Sequence, residues 1–242
     1  MVTPRTKNSG FTLIELMLAT SLLMMVLFSG YYAYSLYTQK WQKRVDTFWQ
    51  GTQDGIAFDS INRMLASAMP YVIKNSQKKA EIYFKASSEE IEWVTASAIF
   101  SQDAALVNIS VVQDGNLSKL IYKEKPMQNF VLINENQINT EAPEFWVYQV
   151  TLLSDIKTIN FSFYGWQSFE EALMFVNEET NIDPRNQPER AWYSTHQPQI
   201  KRILPEQIQI TVQQIAQLHE FNVQLPVATI YALMSHIRKD ID

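Results

Sequence analysis

A chain of 242 residues with 46% apolar and 12% aromatic content can bury one sizeable core. Its formal charge of -5 leaves no excess of Lys and Arg to neutralise a phosphate backbone, which argues against nucleic acid as a partner. With no cysteine, disulfides, thiolate metal sites and cysteine nucleophiles are excluded, and stability rests on packing.

The chain opens with a short polar stretch, Met1 to Ser9, that carries Arg5 and Lys7 and no acid. An apolar segment follows at once, and from Phe11 to Gln39 its only charged side chain is Glu15. As a helix it would run roughly 44 Å at ~1.5 Å per residue, enough to cross a bilayer. Basic residues before an apolar span orient the chain after it across the membrane. A secretory signal would place its small residue after the apolar core, whereas here Gly10 precedes it. The order of Gly10, Phe11 and Glu15 disfavours both an uncut signal anchor and a signal peptide removed whole. A lone carboxylate in a membrane helix costs about 2.5 to 3.5 kcal/mol at the centre and less near the end, so Glu15 calls for a compensating partner. The positive end of the helix dipole supplies part of it.

Lys7-Asn-Ser-Gly10 joined to Phe11-Thr-Leu-Ile-Glu15-Leu resembles the class III signal of type IV pilins and type II secretion pseudopilins. The resemblance implies cleavage after Gly10 by a membrane-embedded prepilin peptidase and N-methylation of Phe11. It also implies that Glu15 pairs with the new amine of a neighbouring subunit during assembly. Residues 1–10 are then a leader, 11–39 a transmembrane assembly helix and 40–242 a periplasmic head that includes the second half of the helix. The expected location is the bacterial inner membrane, single-pass, with incorporation in a pseudopilus.

Beyond the span, apolar positions Trp41, Val45, Phe48 and Trp49, then Phe58, Ile61, Leu65 and Ala68, keep spacings of three and four. They predict one long helix to Met69, stopped by Pro70, with Gly30 and the Gly51/Gly55 pair as weak places and the stripe against the head. From Ala80 the period becomes two. Strands are expected at Glu81 to Ala86 with Ile91 to Ser97 as a hairpin, Leu106 to Gln113, Lys119 to Lys123, Phe130 to Asn134, Trp146 to Leu152, Lys157 to Tyr164, Gln207 to Gln213 and Val227 to Met234. Asp114-Gly115-Asn116 reads as a tight turn, and Gly165 to Pro198 as a long loop with a short strand around Trp192. The fold class is therefore α+β, a pilin-like long amino-terminal helix packed on an antiparallel sheet.

His196, His219 and His236 lie far apart with no acid or second histidine at ligand spacing, so no metal site and no cofactor are expected. No phosphate-binding loop, nucleophile elbow or dinucleotide fingerprint is present, and the reading is not an enzyme. The acidic stretch 177–183 is rich in oxygen ligands but lacks EF-hand spacing and reads as a solvated loop. Glu89, Glu90 and Glu92 read as an exposed turn, not a catalytic carboxylate pair.

The carboxy-terminal half resembles the type II secretion minor pseudopilin J family. The likeness lies in Leu152 to Gly165, a strand ending in an aromatic pair, then Trp192, then Ile203-Leu-Pro205 leading into a late strand. It departs in a longer stretch between Gly165 and Trp192 and in the tail past Val212. The resemblance implies a non-catalytic component of the pseudopilus tip complex that primes assembly, with other minor pseudopilins as partners through the helix and exported protein as a further contact. A minor pilin of a type IV or mannose-sensitive haemagglutinin-type pilus is the alternative; a membrane-tethered enzyme or sugar-binding module is the third reading.

Overall fold

In the computed structural model the described residues are 11–75, 77–128, 131, 139–140, 142–177, 189–215, 217–226 and 229–239. The first element is one helix, α1 (Leu13–Ala66). The chain divides into two compact units, residues up to Gln53 and residues from Asp54 onward.

In the first unit no described side chain is buried. Trp41, Phe48 and Trp49, expected in a buried stripe, are 55%, 67% and 59% exposed. Their helical spacing is real, but the apolar face that fills the core starts only at Ala57 and continues through Ile61, Met64 and Leu65.

The head holds this last part of α1 against an antiparallel sheet. In chain order its strands are β1 (Val72–Lys74), β2 (Ala80–Ile82), β3 (Phe84–Ala86), β4 (Glu90–Thr95), β5 (Ala105–Asp114), β6 (Leu117–Pro126), β7 (Tyr148–Gly165), β8 (Ala191–Tyr193), β9 (Gln207–Gln214) and β10 (Leu218–Gln224). The helices α2 (Phe169–Asn177), α3 (Pro198–Lys201) and α4 (Thr229–Lys239) complete it. The main sheet runs β10-β9-β7-β6-β5-β4-β3, β8 pairs with β7, and β1 and β2 form a separate ribbon.

Alternation sorts the side chains onto two faces. Phe84, Ile91, Trp93, Val107, Tyr122 and Phe161 join the α1 residues in the larger core. On the other face Tyr83, Val94 and Leu106 pack with Ile73 and Trp146 in a smaller one. From Ile91 to Thr95 strand β4 is buried throughout, and Glu92 is 4% exposed. Every buried core side chain among the described residues lies at or beyond Ala57, so the head carries its own core.

Several expectations meet the structure directly. The Asp114 turn closes the β5–β6 hairpin, with Gly115 at φ 65, a conformation glycine adopts without steric cost. Strands expected at Trp146 to Leu152 and Lys157 to Tyr164 are one continuous strand, β7. Its Asp155 takes φ 56 where its pairing passes from β6 to β9, so the polar signal there marks an irregularity and not a turn. Helix α2 occupies part of the expected loop, started by Ser168, whose Oγ accepts from Glu171 N at 3.2 Å. The run expected as a strand at Val227 to Met234 is helix α4 from Thr229 onward, burying Ile230 and Leu233. Most of the strand expected at Phe130 to Asn134 lies outside the described residues.

Candidate functional site

The chemistry at the amino terminus starts from the first turn of α1. Thr12 precedes the helix, and its carbonyl accepts the bond from Leu16 N at 3.2 Å. Thr12 Oγ1 accepts from Glu15 N at 3.3 Å, while Glu15 Oε2 accepts from Thr12 N and from Thr12 Oγ1, each at 3.0 Å. This is a capping box: Thr-x-x-Glu satisfies free amides at the helix start reciprocally. Glu15, whose expected partner is the amine of a neighbouring subunit, is bonded within the chain to Thr12. Thr12-Leu-Ile-Glu15 is the sequence signature of such a cap. Phe11 is 87% exposed just before the cap, and Gly10 lies outside the described residues.

Past the cap the helix presents apolar side chains on every side. Its hydroxyls turn back on the backbone, Thr20 Oγ1 donating to Leu16 O at 3.0 Å and Ser21 Oγ to Met17 O at 2.8 Å. Inward bonding of this kind satisfies these two hydroxyls without water. It is one helix long and apolar enough to cross a membrane, by length and composition. Phe11 to Gly30 spans about 30 Å at ~1.5 Å per residue. Exposed Tyr31, Tyr32, Tyr34, Tyr37 and Trp41 come next, with Lys40, Lys43 and Arg44 among and after them. Aromatic rings followed by cations are what a membrane interface favours, a signal that the expected limit at Gln39 did not use.

The buried carboxylates of the head are hydrogen-bonded structural groups. Glu92, expected in an exposed turn, lies inside the sheet: the turn ends earlier, with Ser87 N donating to Glu90 O at 2.8 Å. Tyr83 Oη donates to Glu92 Oε1, and Asn108 Nδ2 donates to Glu92 Oε2 at 3.2 Å and to Glu90 Oε1 at 2.7 Å. Burial raises the Glu92 pKa above the carboxylate norm, against the lowering effect of these bonds. Glu124 accepts from Tyr122 Oη at 2.7 Å and from Phe100 N at 2.9 Å.

The three histidines remain in different settings. His196 is buried, its ring edge-on to Phe84 at 4.9 Å and its Nδ1 3.3 Å from Tyr193 Oη; burial, and the Lys201 charge after it, lower its pKa to about 3. His219 packs on Phe58 at 4.8 Å, and His236 is exposed on α4. No group of three or more His, Cys, Asp or Glu among the described residues could hold a metal ion. The acidic stretch 178–183 lies outside them. A cavity of about 170 Å³ sits beside Trp166, Phe175, Arg190 and Glu206. Arg190 lies 4.7 Å over the Trp166 ring and pairs with Glu206 at 2.8 Å, so it is already engaged.

The carboxy-terminal motifs come together. Tyr164 pairs with Trp192 across β7 and β8, their rings 5.3 Å apart, and Glu206 N donates to Tyr164 O at 2.9 Å where Leu204-Pro205 leads into β9.

No curated protein matches the chain. Residues 5–31 match the family described as the prokaryotic N-terminal methylation motif, which indicates a type IV pilin-like protein and, with the apolar helix, supports anchoring in a membrane.

Proposed function

We propose that the chain is a non-catalytic minor pseudopilin of a type II secretion system, part of the tip complex that primes pseudopilus assembly. The observation that carries the reading is the lone carboxylate of Glu15, held at the start of an exposed apolar helix within the methylation motif. Residues 1–10 are the leader, removed by the prepilin peptidase after Gly10; Phe11 then bears the methylated amine. Both of Glu15's bonds within the chain run to Oε2, so Oε1 is the oxygen it offers to the Phe11 amine of a neighbouring subunit. Removing that carboxylate's charge from lipid favours helix bundling without any covalent step. The junction of β7, β8 and β9 at Tyr164, Trp192 and Pro205 supports the likeness to the J-type head.

Basic residues flank the span on both sides, Arg5 and Lys7 before it and Lys40, Lys43 and Arg44 after it, so charge alone does not orient it. The periplasmic assignment of the head rests on the leader.

A deletion strain complemented with Gly10 and Glu15 variants tests this. Replacing Gly10 should leave the leader uncut, and Glu15→Ala should give a processed protein poorly incorporated in the filament, with loss of export in both. Normal export in the deletion strain would overturn the secretion assignment, and pilus loss in that strain would move the protein to a minor pilin of a type IV or mannose-sensitive haemagglutinin-type pilus.

A further inference from the structure

The solvent face of the main sheet changes character along its width. On β6 the residues that alternate with the buried ones are basic for the most part, Lys119, Lys123 and Lys125. From Gln207 to Gln224 the chain carries no Lys or Arg and a single carboxylate, Glu220, and β7 from Thr158 to Gly165 carries no charged side chain. A solvated surface ordinarily mixes both signs of charge, as β6 does with its solvent, so this amide-rich part of the face is unlike the rest.

Phe161 and Phe163 on β7, and Ile208 and Ile210 on β9, point into the core, so the residues between them face out. The register sets these in rows across β8, β7, β9 and β10. Trp192 lies beside Tyr164, and Gln207 and Gln224 continue that row. Ser162, Gln209 and Asn222 form the next, and Asn160, Thr211 and Glu220 the third. At about 4.8 Å between strands and about 3.4 Å per residue, the rows cover roughly 14 by 14 Å.

One corner of this area is aromatic. The rings of Tyr164 and Trp192 stand 5.3 Å apart, and Trp192 is 47% exposed. At the opposite corner Gln209 Nε2 donates to Glu220 Oε1 at 2.7 Å, which holds both side chains in place. Among the described residues no hydrogen bond reaches the side chains of Gln207, Thr211, Asn222 or Gln224. Each carboxamide there presents an acceptor and two donors, and the hydroxyl can do both.

We infer that this face binds an uncharged, ribbon-like polysaccharide, with a pyranose ring laid on Tyr164 and Trp192 and the hydroxyls of the following rings bonded by the amide rows. The chemistry selects this occupant. A pyranose has apolar C–H faces and a rim of hydroxyls that donate and accept, so it calls for aromatic rings beside amides. A carboxylate without a neighbouring cation disfavours phosphate and uronate chains. A protein partner calls for an apolar centre, and past the two rings nothing apolar faces out until Leu218, opposite Gln213. The area is a sheet surface and not a cleft, which suits a flat extended chain. It uses no residue of the leader or of α1, so it stands apart from the secretion assignment.

The full chain, held in a zwitterionic detergent that contains no sugar, should co-sediment with insoluble cellulose or chitin, and soluble polygalacturonate, an anionic chain, should not displace it. Trp192→Ala should weaken retention by roughly tenfold or more and Asn222→Ala by roughly fivefold. Phe100→Ala, which removes an exposed ring stacked on Tyr148 away from these rows, should leave retention unchanged. Retention on neither polymer, displacement by polygalacturonate, or equal loss in Phe100→Ala overturns the inference. So does a Trp192→Ala protein that keeps its retention but fails to enter the filament, which would make the face a protein interface. Asn222 is exposed and touches no core side chain, so its variant decides the matter even if Trp192→Ala fails to fold.

Discussion

Acid is the sharpest probe of the head, because His196 is neutral in the fold and charged in the unfolded chain. Burial among Phe84 and Tyr193 holds its pKa at about 3 against an ordinary 6.5. Below pH 6.5 the unfolded state binds a proton that the folded state does not, so stability falls as pH drops through that window and is fully present above it. Each pH unit is worth about 1.4 kcal/mol, which gives about 2.7 kcal/mol lost to this one group between pH 6.5 and 4.5. Carboxylates also titrate there, so the informative quantity is the difference between the unaltered head and His196→Gln. Urea unfolding of both at pH 7.0, 5.5 and 4.5 should show the variant losing less, by about 1.4 kcal/mol at pH 5.5 and about 2.7 at pH 4.5. Any fixed cost of losing the contact to Tyr193 Oη, at 3.3 Å, cancels in this comparison. Parallel pH profiles would refute a neutral, water-excluded His196.

Glu92 should behave in the opposite sense. Its raised pKa favours the protonated form in the fold, so its contribution is present below the ordinary carboxylate value and is lost as pH rises. Glu92→Gln should therefore gain stability relative to the unaltered head between pH 4.5 and 7, with the new amide able to serve Asn108 Oδ1, which is buried without a partner among the described residues; equal urea midpoints across that range would refute it. Thr12→Val removes the hydroxyl from the capping box and should weaken the start of α1 by about 1 kcal/mol. Faster amide exchange at Ile14 to Leu16 in detergent micelles would register it, and unchanged exchange would show that the cap contributes nothing.

Where one physical signal acted alone, the sequence was readable. The amino-terminal helix follows from the apolar run and the β5–β6 hairpin from Gly115 between alternating strands. The carboxy-terminal run was not, because a short apolar stretch fits a buried strand and a helix equally. What decided it was the spacing of Ile230, Leu233, Met234 and Ile237, whose helical face packs on the core. Strand β10 carries a weak sequence signal because its inward residues, His219, Phe221 and Val223, include a polar ring in a mostly polar segment. Glu92 misled for a related reason: a carboxylate beside two others reads as surface, and only pairing with β5 brings Asn108 and Tyr83 to it. At the candidate site Glu15 was legible by its isolation in an apolar run, whereas Thr12 required reading the same four residues as a cap.

The end of α1 has a consequence for how force passes through the molecule. Met64 O accepts from Thr95 Oγ1 at 2.8 Å and from Trp93 Nε1 at 3.3 Å, Ser67 O accepts from Ala96 N at 3.0 Å, and Met69 N donates to Val94 O at 2.8 Å. Among the last helical carbonyls Met64 O is thus bonded by β4, and the helix ends at Ala66, short of the expected Met69 and ahead of Pro70. Tension on an anchored helix enters the head at the strand buried on both faces, where the load spreads across neighbouring ladders before any edge can peel.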